Sequence, residues 1–336
     1  MSSANLDRLL AVLVVAMATT GLATLRTGTP AGARLFVVHG LLAGALAVAV
    51  IVKLGRSVPR AIAGRRWRAL LVAGVVSFGV IGALSLGWLW VTSGGHPSFR
   101  GWTILVLHAW LGLALVPLLV VHLLPHRWRL LRIRVPAGPR RPGAGISRRA
   151  LLISGGLSFA GIGAFVAAEV VRRWRGAEGR FTGSRFLPAG GVPPPTTFFG
   201  EPVPVIDAAT WRLRVHGHVD RELALSLADL RALGEETSDA VLDCTSGWAL
   251  ETTWHGVGLA TLLDAAAATP GARSITVRAV SGWSAVFTVA EARECLLATG
   301  VAGGDLAPGN GAPCRLVAPD RRGLDWVKWV AEVIVA

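Results

Sequence analysis

Acidic residues are almost absent from the first half of this chain: of its 20 Asp and Glu, only Asp7 precedes Glu169. A water-exposed surface carries charges of both signs, so the first half does not read as an ordinary soluble domain. Cysteine is scarce as well. Cys244, Cys295 and Cys314 form an odd set with no CxxC spacing, which excludes a disulfide scaffold or a zinc site of that type and leaves each readable as a small buried hydrophobe. The apolar runs also lack the acidic residues and interrupted helix pairs that a cofactor-free transporter would need.

What is present points to two domains. The chain has 336 residues, 52% of them hydrophobic, and its mean hydropathy of +0.55 places a large part in lipid. The second half has mixed charge, which puts a boundary near residue 170. The formal net charge of +14 invites a nucleic-acid reading, but its location argues against one. Fourteen cationic residues fall in two short segments, Lys53–Arg68 and Arg127–Arg149, each set between apolar runs. Cytoplasmic loops of a membrane protein have this character.

Four runs near Leu9–Leu25, Leu35–Leu54, Ala69–Val91 and Trp102–Leu124 have the length to cross a bilayer. A fifth, Gly-rich run over 150–171 opens at Ser147-Arg148-Arg149-Ala150-Leu151-Leu152, which resembles a twin-arginine export signal. Placing both arginine-rich loops inside puts everything after the fifth helix outside the cytoplasm. The expected organisation is a four-helix transmembrane module over 1–125, a basic cytoplasmic loop over 126–149, the fifth transmembrane helix over 150–171, a Pro/Gly linker over 172–195 and a catalytic domain over 196–336. The expected location is the cell membrane, multi-pass, with the catalytic domain extracytoplasmic.

In that last domain Trp211, Leu213 and Val215 alternate with polar neighbours, as do Ile275, Val277 and Ala279, which predicts strands. Gly258–Ala267 reads as a compact helix. Thr288-Val289-Ala290-Glu291 has capping-box spacing ahead of an apolar stretch to Leu297. Interleaved short elements of both kinds predict an α+β domain.

Several blocks here are specific in combination. Leu242-Asp243-Cys244-Thr245-Ser246-Gly247-Trp248 is followed by Trp254-His255-Gly256-Val257-Gly258-Leu259, by Asn310-Gly311-Ala312-Pro313-Cys314-Arg315-Leu316-Val317, and by Trp326-Val327-Lys328-Trp329. In order and spacing they resemble the molybdopterin-binding core of the sulfite oxidase family, over about residues 196–336. The fold class this implies is multi-domain: an all-α transmembrane helical bundle followed by an α+β sulfite-oxidase-type molybdopterin-binding domain.

The resemblance implies that Cys244 supplies the protein's thiolate ligand to molybdenum, a soft donor suited to a metal already held by sulfur. It also implies that Asn310, Arg315 and the Trp326-Val327-Lys328 segment bind the pterin and its phosphate. Thr196 and Phe199 stand where the methionine-sulfoxide-reductase branch tends to have Asn and Tyr near the pterin; Ser281-Gly282-Trp283 replaces a common Asp-Gly-Tyr, and Ala279 a common Thr or Ser. These departures bear on substrate rather than on metal binding. The chain ends just after the core, leaving no room for the immunoglobulin-like dimerisation domain of the sulfite oxidases, so a monomer is expected.

Histidine within a bilayer segment is costly and marks function. By the charge-derived topology His39 lies about 7 Å and His108 about 12 Å from the outer ends of their helices, at 1.5 Å per residue. Similar depth on two helices suits a bis-histidine b-type haem, in a module that looks like a small cytochrome b. His122, near the inner end, has only interfacial His126 as a partner, and His96 in an outer loop is a substitute ligand. The functional reading is oxygen-atom transfer on an S-oxide or N-oxide, on a small molecule or a protein, with electrons drawn from the membrane quinol/quinone pool through the haem. The alternatives are a sulfite-type oxidase passing electrons to the membrane, and a non-catalytic membrane protein that retains a pterin-binding fold.

Overall fold

The structure is a computed structural model that describes residues 3–124, 148–176, 179–197 and 201–336. It divides into two compact units, one of residues 1–24 and 31–183, the other of residues 25–30 and 184–336.

The first unit is helical: α1 (Ser3–Thr24), α2 (Ala33–Ala63), α3 (Trp67–Thr92), α4 (Ile104–Leu123) and α5 (Arg148–Trp174). Among the described residues α1 to α4 are long and apolar enough to cross a membrane. Between α3 and α4 the strands β1 (Ser98–Phe99) and β2 (Trp102–Thr103) form a hairpin. Its turn residues, Arg100 and Gly101, take φ of 49° and 83°. The Thr103 hydroxyl then caps α4 by accepting from the Val106 amide at 3.3 Å. Leu6, Leu13, Leu46, Ala49, Val80, Ala83 and Leu115 are buried between the helices. α2 and α5 cross at Gly44 and Gly161, where a Cβ on Gly44 would lie 2.7 Å from the Gly161 Cα; only small residues allow that approach. Asp7 and Lys53 pair across α1 and α2. The expected basic loop over 126–149 lies outside the described residues up to Ser147, as does His126.

The second unit mixes strands with short helices. Its strands are β3 (Arg185–Phe186), β4 (Leu213–Gly217), β5 (Leu223–Leu225), β6 (Glu236–Asp243), β7 (Trp248–Gly258), β8 (Ser274–Ala279), β9 (Ser284–Thr288), β10 (Leu296–Val301), β11 (Gly304–Asp305), β12 (Arg315–Val317) and β13 (Val330–Val335). Its helices are α6 (Leu227–Ala232), α7 (Leu259–Ala265) and α8 (Val289–Arg293). One sheet has the order β5-β4-β13-β8-β9, with β13 parallel to β4 and the other pairs antiparallel. The other runs β11-β10-β7-β3, with β12 also pairing β10 and β6 also pairing β7. A single core takes in side chains of both sheets, including Leu213, Val215, Ile275, Val277, Leu250, Trp254, Leu297 and Leu316.

The alternating patterns at 211–215 and 275–279 give β4 and β8, with every second residue buried. The Thr288 capping box forms, with the Thr288 hydroxyl accepting from the Glu291 amide and the Glu291 carboxylate accepting from the Thr288 amide. The helix it opens stops at Arg293 rather than running on to Leu297. Leu296–Val301 instead forms β10, buried at every position. A strand covered on both faces loses the alternation that would distinguish it from a helix. The segment expected as a linker over 172–195 is partly folded: Arg185–Phe186 pairs in parallel with Trp248–Ala249, and the longer segment of the second unit starts at Ser184.

Candidate molybdopterin site and candidate haem site

Cys244 follows the last residue of β6, in the turn that leads into β7. The turn closes through the Cys244 amide to the Trp248 carbonyl at 2.8 Å and the Gly247 amide to the Cys244 carbonyl at 3.0 Å. Gly247 has φ of 101°, a left-handed conformation that a side chain at that position would strain. The half-buried Cys244 Sγ lies 3.1 Å from the Ser246 hydroxyl and 3.5 Å from that of Thr196. Beneath it sits a buried charge pair. Asp243 accepts from Ser184 Oγ at 2.7 Å and lies 3.5 Å from the Arg322 guanidinium, and Arg322 also reaches the Cys244 carbonyl at 3.5 Å.

The cationic side of the site is built around Gly311. With φ of 110°, a Cβ there would come within 2.9 Å of the Arg315 Cβ and 3.2 Å of the Lys328 Cβ, so glycine lets the two cations converge. Arg315 is 2% exposed. It donates to the Asn310 carbonyl at 3.0 Å and lies 4.8 Å over the Trp254 ring, while its Nε has no partner. Burial lowers its pKa to about 10, although the nearby Cys244 acts the other way. Lys328 donates to the carbonyls of Thr196 and Gly309, each at 2.6 Å. Burial first, and then the Arg315 charge, lower the Lys328 pKa to about 8 against the opposing effect of Cys244 and Glu201. Asn310 is buried and donates to the Pro193 carbonyl at 2.8 Å.

This donor set fits an anionic, sulfur-bound cofactor. A buried guanidinium with an unpaired N–H and no ion pair among the described residues calls for an anion, and two of the three ammonium donors of Lys328 are already fixed. The remaining thiols are placed differently: burial pushes both Cys295 and Cys314 up to about 12, as suits inert core thiols.

The expected site residues Cys244, Thr196, Asn310, Arg315 and Lys328 therefore come together. Trp326 and Val327 are core residues: the Trp326 indole lies 5.8 Å from the Arg315 guanidinium, and the Val327 carbonyl accepts from the Leu316 amide at 2.7 Å. Phe199 lies outside the described residues. Ser246, Trp254 and the Ser184–Asp243–Arg322 network went unassigned in the sequence. Asp243 and Ser246 flank the thiol at one and two residues, and that adjacency was the available signal.

In the helical unit the rings of His39 and His108 meet at 6.2 Å, nearly perpendicular at 88°. Thr20 Oγ1 lies 2.7 Å from the Ala16 carbonyl and 2.8 Å from His39 Nδ1, and it accepts from Nδ1 when that nitrogen carries the imidazole proton. His108 Nδ1 lies 2.8 Å from the Ala83 carbonyl, which can only accept. His108 thus carries a proton on Nδ1, which leaves Nε2 as the lone-pair atom of the neutral ring, as in metal-ligating histidines; Thr20 allows His39 the same tautomer. Gly21 and Gly87 face the rings; a Cβ would stand 3.4 Å from His39 Cε1 and 3.1 Å from His108 Cε1. Two facing imidazoles are a donor set that a haem iron can take. His96 instead packs its ring against Trp90 at 6.4 Å.

Residues 200–336 match the family model described as oxidoreductase molybdopterin binding domain. The C-terminal unit is a molybdopterin-binding oxidoreductase domain. Among curated proteins, the uncharacterized oxidoreductase YuiH of Bacillus subtilis is 30% identical over 127 residues, 37% of this chain and 64% of that protein. The protein-methionine-sulfoxide reductase catalytic subunit MsrP of Xanthomonas campestris is 28% identical over 141 residues, 37% of this chain and 44% of that protein. The chain therefore spans less than two thirds of the length of these relatives. Among solved structures, the sulfane dehydrogenase SoxCD of Paracoccus pantotrophus matches with 24% identity and a TM-score of 0.38 over 40% of each chain.

Proposed function

We propose that this chain is a membrane-anchored molybdenum oxidoreductase of the sulfite oxidase type that reduces an S-oxide or N-oxide on the extracytoplasmic side. The observation that carries this reading is the convergence of one half-buried thiol, Cys244, with a buried cation, Arg315, and a half-buried one, Lys328, neither of which forms an ion pair among the described residues. The similarity to a methionine-sulfoxide reductase supports the S-oxide as substrate class.

Bound through the Cys244 sulfur, the molybdenum cofactor would supply two-electron oxygen-atom transfer. Arg315 and the free donor of Lys328 would hold the anionic parts of the pterin, and Trp254 keeps the guanidinium in position. Asn310 fixes the Pro193 carbonyl, and with it the segment leading to Thr196. His39 and His108 would hold one b-type haem through Nε2, placing a one-electron carrier in the helical unit for exchange with the membrane quinol/quinone pool. The four apolar helices and the arginine-rich segments between apolar runs support the membrane setting.

The test is metal analysis and an optical spectrum of the purified full-length protein, with Cys244→Ser alongside. Molybdenum near one per chain and a haem Soret band are expected for the wild type. The variant should stay folded and lose turnover, because a harder oxygen replaces the thiolate. Absence of molybdenum from the wild type would end this reading.

A further inference from the structure

The thiol of Cys244 has a close neighbour that cofactor anchoring does not explain. Ser246 Oγ lies 3.1 Å from Cys244 Sγ, within the same turn, while the Thr196 hydroxyl is farther away at 3.5 Å. The turn sets the approach: Gly247 with φ of 101° bends the chain back, and the Cys244–Trp248 and Gly247–Cys244 backbone hydrogen bonds close it. The Asp243 carbonyl beneath accepts from the Gly323 amide at 2.8 Å, which anchors the base of the turn.

We infer that Ser246 is a positioning residue that tunes the reduction potential of the metal bound by Cys244, by donating a hydrogen bond to the ligating sulfur. The inference rests on the molybdenum reading above. In the free thiol either atom could donate. Once Cys244 ligates as a thiolate it has no proton, so the hydroxyl must be the donor. Such a donor draws electron density from the sulfur and weakens its donation to the metal. The lower oxidation state is thereby favoured and the potential rises, as hydrogen bonds to ligating sulfurs do at other metal centres. Ser246 is the stronger contributor because its contact is the shorter one.

The measurement is a potentiometric titration of the full-length protein, followed by the Mo(V) electron paramagnetic resonance signal, with molybdenum content determined for each sample. Ser246→Ala removes the hydroxyl; Ser246→Thr keeps it. The expected result for Ser246→Ala is a roughly tenfold rise in the Mo(V) to Mo(IV) ratio at fixed poise, a potential lower by about 59 mV for a one-electron couple. Ser246→Thr should restore most of the wild-type value. Equal potentials in wild type and Ser246→Ala at equal metal content would overturn the inference while leaving the molybdenum reading intact. So would a shift that Ser246→Thr fails to restore. Loss of molybdenum in Ser246→Ala would also overturn it, since the hydroxyl would then serve loading rather than potential. Absence of the metal from the wild type removes the molybdenum reading itself.

Discussion

The guanidinium of Arg315 lies 4.8 Å over the indole of Trp254 and 5.8 Å from that of Trp326, and the two indoles meet edge to face at 5.6 Å. The rings hold the cation in place by cation–π attraction without neutralising it. One N–H reaches the Asn310 carbonyl, and Nε reaches nothing. In the cofactor-free protein this charge is therefore a cost, offset when an anion arrives.

Replacing Arg315 with Met should accordingly stabilise the cofactor-free protein, by about 1–4 kcal/mol if the rings repack around the thioether. The same change should reduce molybdenum content, because an anchor for the anionic cofactor is gone. Denaturant unfolding of cofactor-free wild type and variant, with metal analysis of both, gives the comparison. A less stable variant would mean that the cation already has adequate partners.

Lys328 gives the stability of the cofactor-free protein a pH dependence of definite sign. Its pKa is lowered from 10.5 to about 8 in the folded protein. Between these values the unfolded chain binds more protons than the folded one, so stability rises with pH. Above the upper value the contribution is fully present, and it is lost as pH falls through about 8. Thermal unfolding of cofactor-free protein across this window should show the rise, and Lys328→Met should flatten it. A wild-type curve matching that of Lys328→Met would place the lysine in an ordinary solvated setting.

Asp243→Asn should be costly for a different reason. Asp243 is fully buried and Arg322 is 3% exposed, and each lies within 3.5 Å of the other. Removing the carboxylate charge leaves a buried guanidinium without its ion pair, a loss of about 3–5 kcal/mol. Because Arg322 also reaches the Cys244 carbonyl, molybdenum content should fall along with stability. Chemical denaturation would read the first and metal analysis the second; unchanged stability would show the pair to be dispensable.

Legibility in the sequence followed the physics of each element. Half-buried strands such as β4 and β8 announce themselves by alternation, and the Thr288 cap by its spacing. The fully buried β10 does not, since burial of both faces erases the period. Cys244, Arg315 and Lys328 stood out through a resemblance of motif blocks, while Ser246, Asp243 and Arg322 are ordinary surface residue types that become special only when folding gathers them around Cys244. The pairing of His39 with His108 followed from depth along two helices. The roles of Thr20 and Ala83 could not, because a hydroxyl and a carbonyl on neighbouring helices leave no mark in the pattern of either.

Those two partners make the haem proposal testable beyond loss of its ligands. Replacing His39 or His108 with Ala should remove the Soret band and the quinol-linked activity. Activity with a soluble artificial donor should persist, because the Cys244 site lies in a different unit of the chain. His96→Ala should leave the haem spectrum intact, its ring being packed on Trp90. Thr20→Val is the finer probe: it removes the acceptor 2.8 Å from His39 Nδ1 while leaving both imidazoles in place. The haem should then remain bound, but with a higher reduction potential, since His39 loses the hydrogen bond that makes its Nε2 a stronger donor to iron. A spectroelectrochemical titration of wild type and Thr20→Val gives the difference directly. Retention of a full bis-histidine spectrum in His39→Ala would remove that histidine from the ligand set. A wild-type protein with molybdenum but no haem would reduce the helices to an anchor and require a separate electron donor.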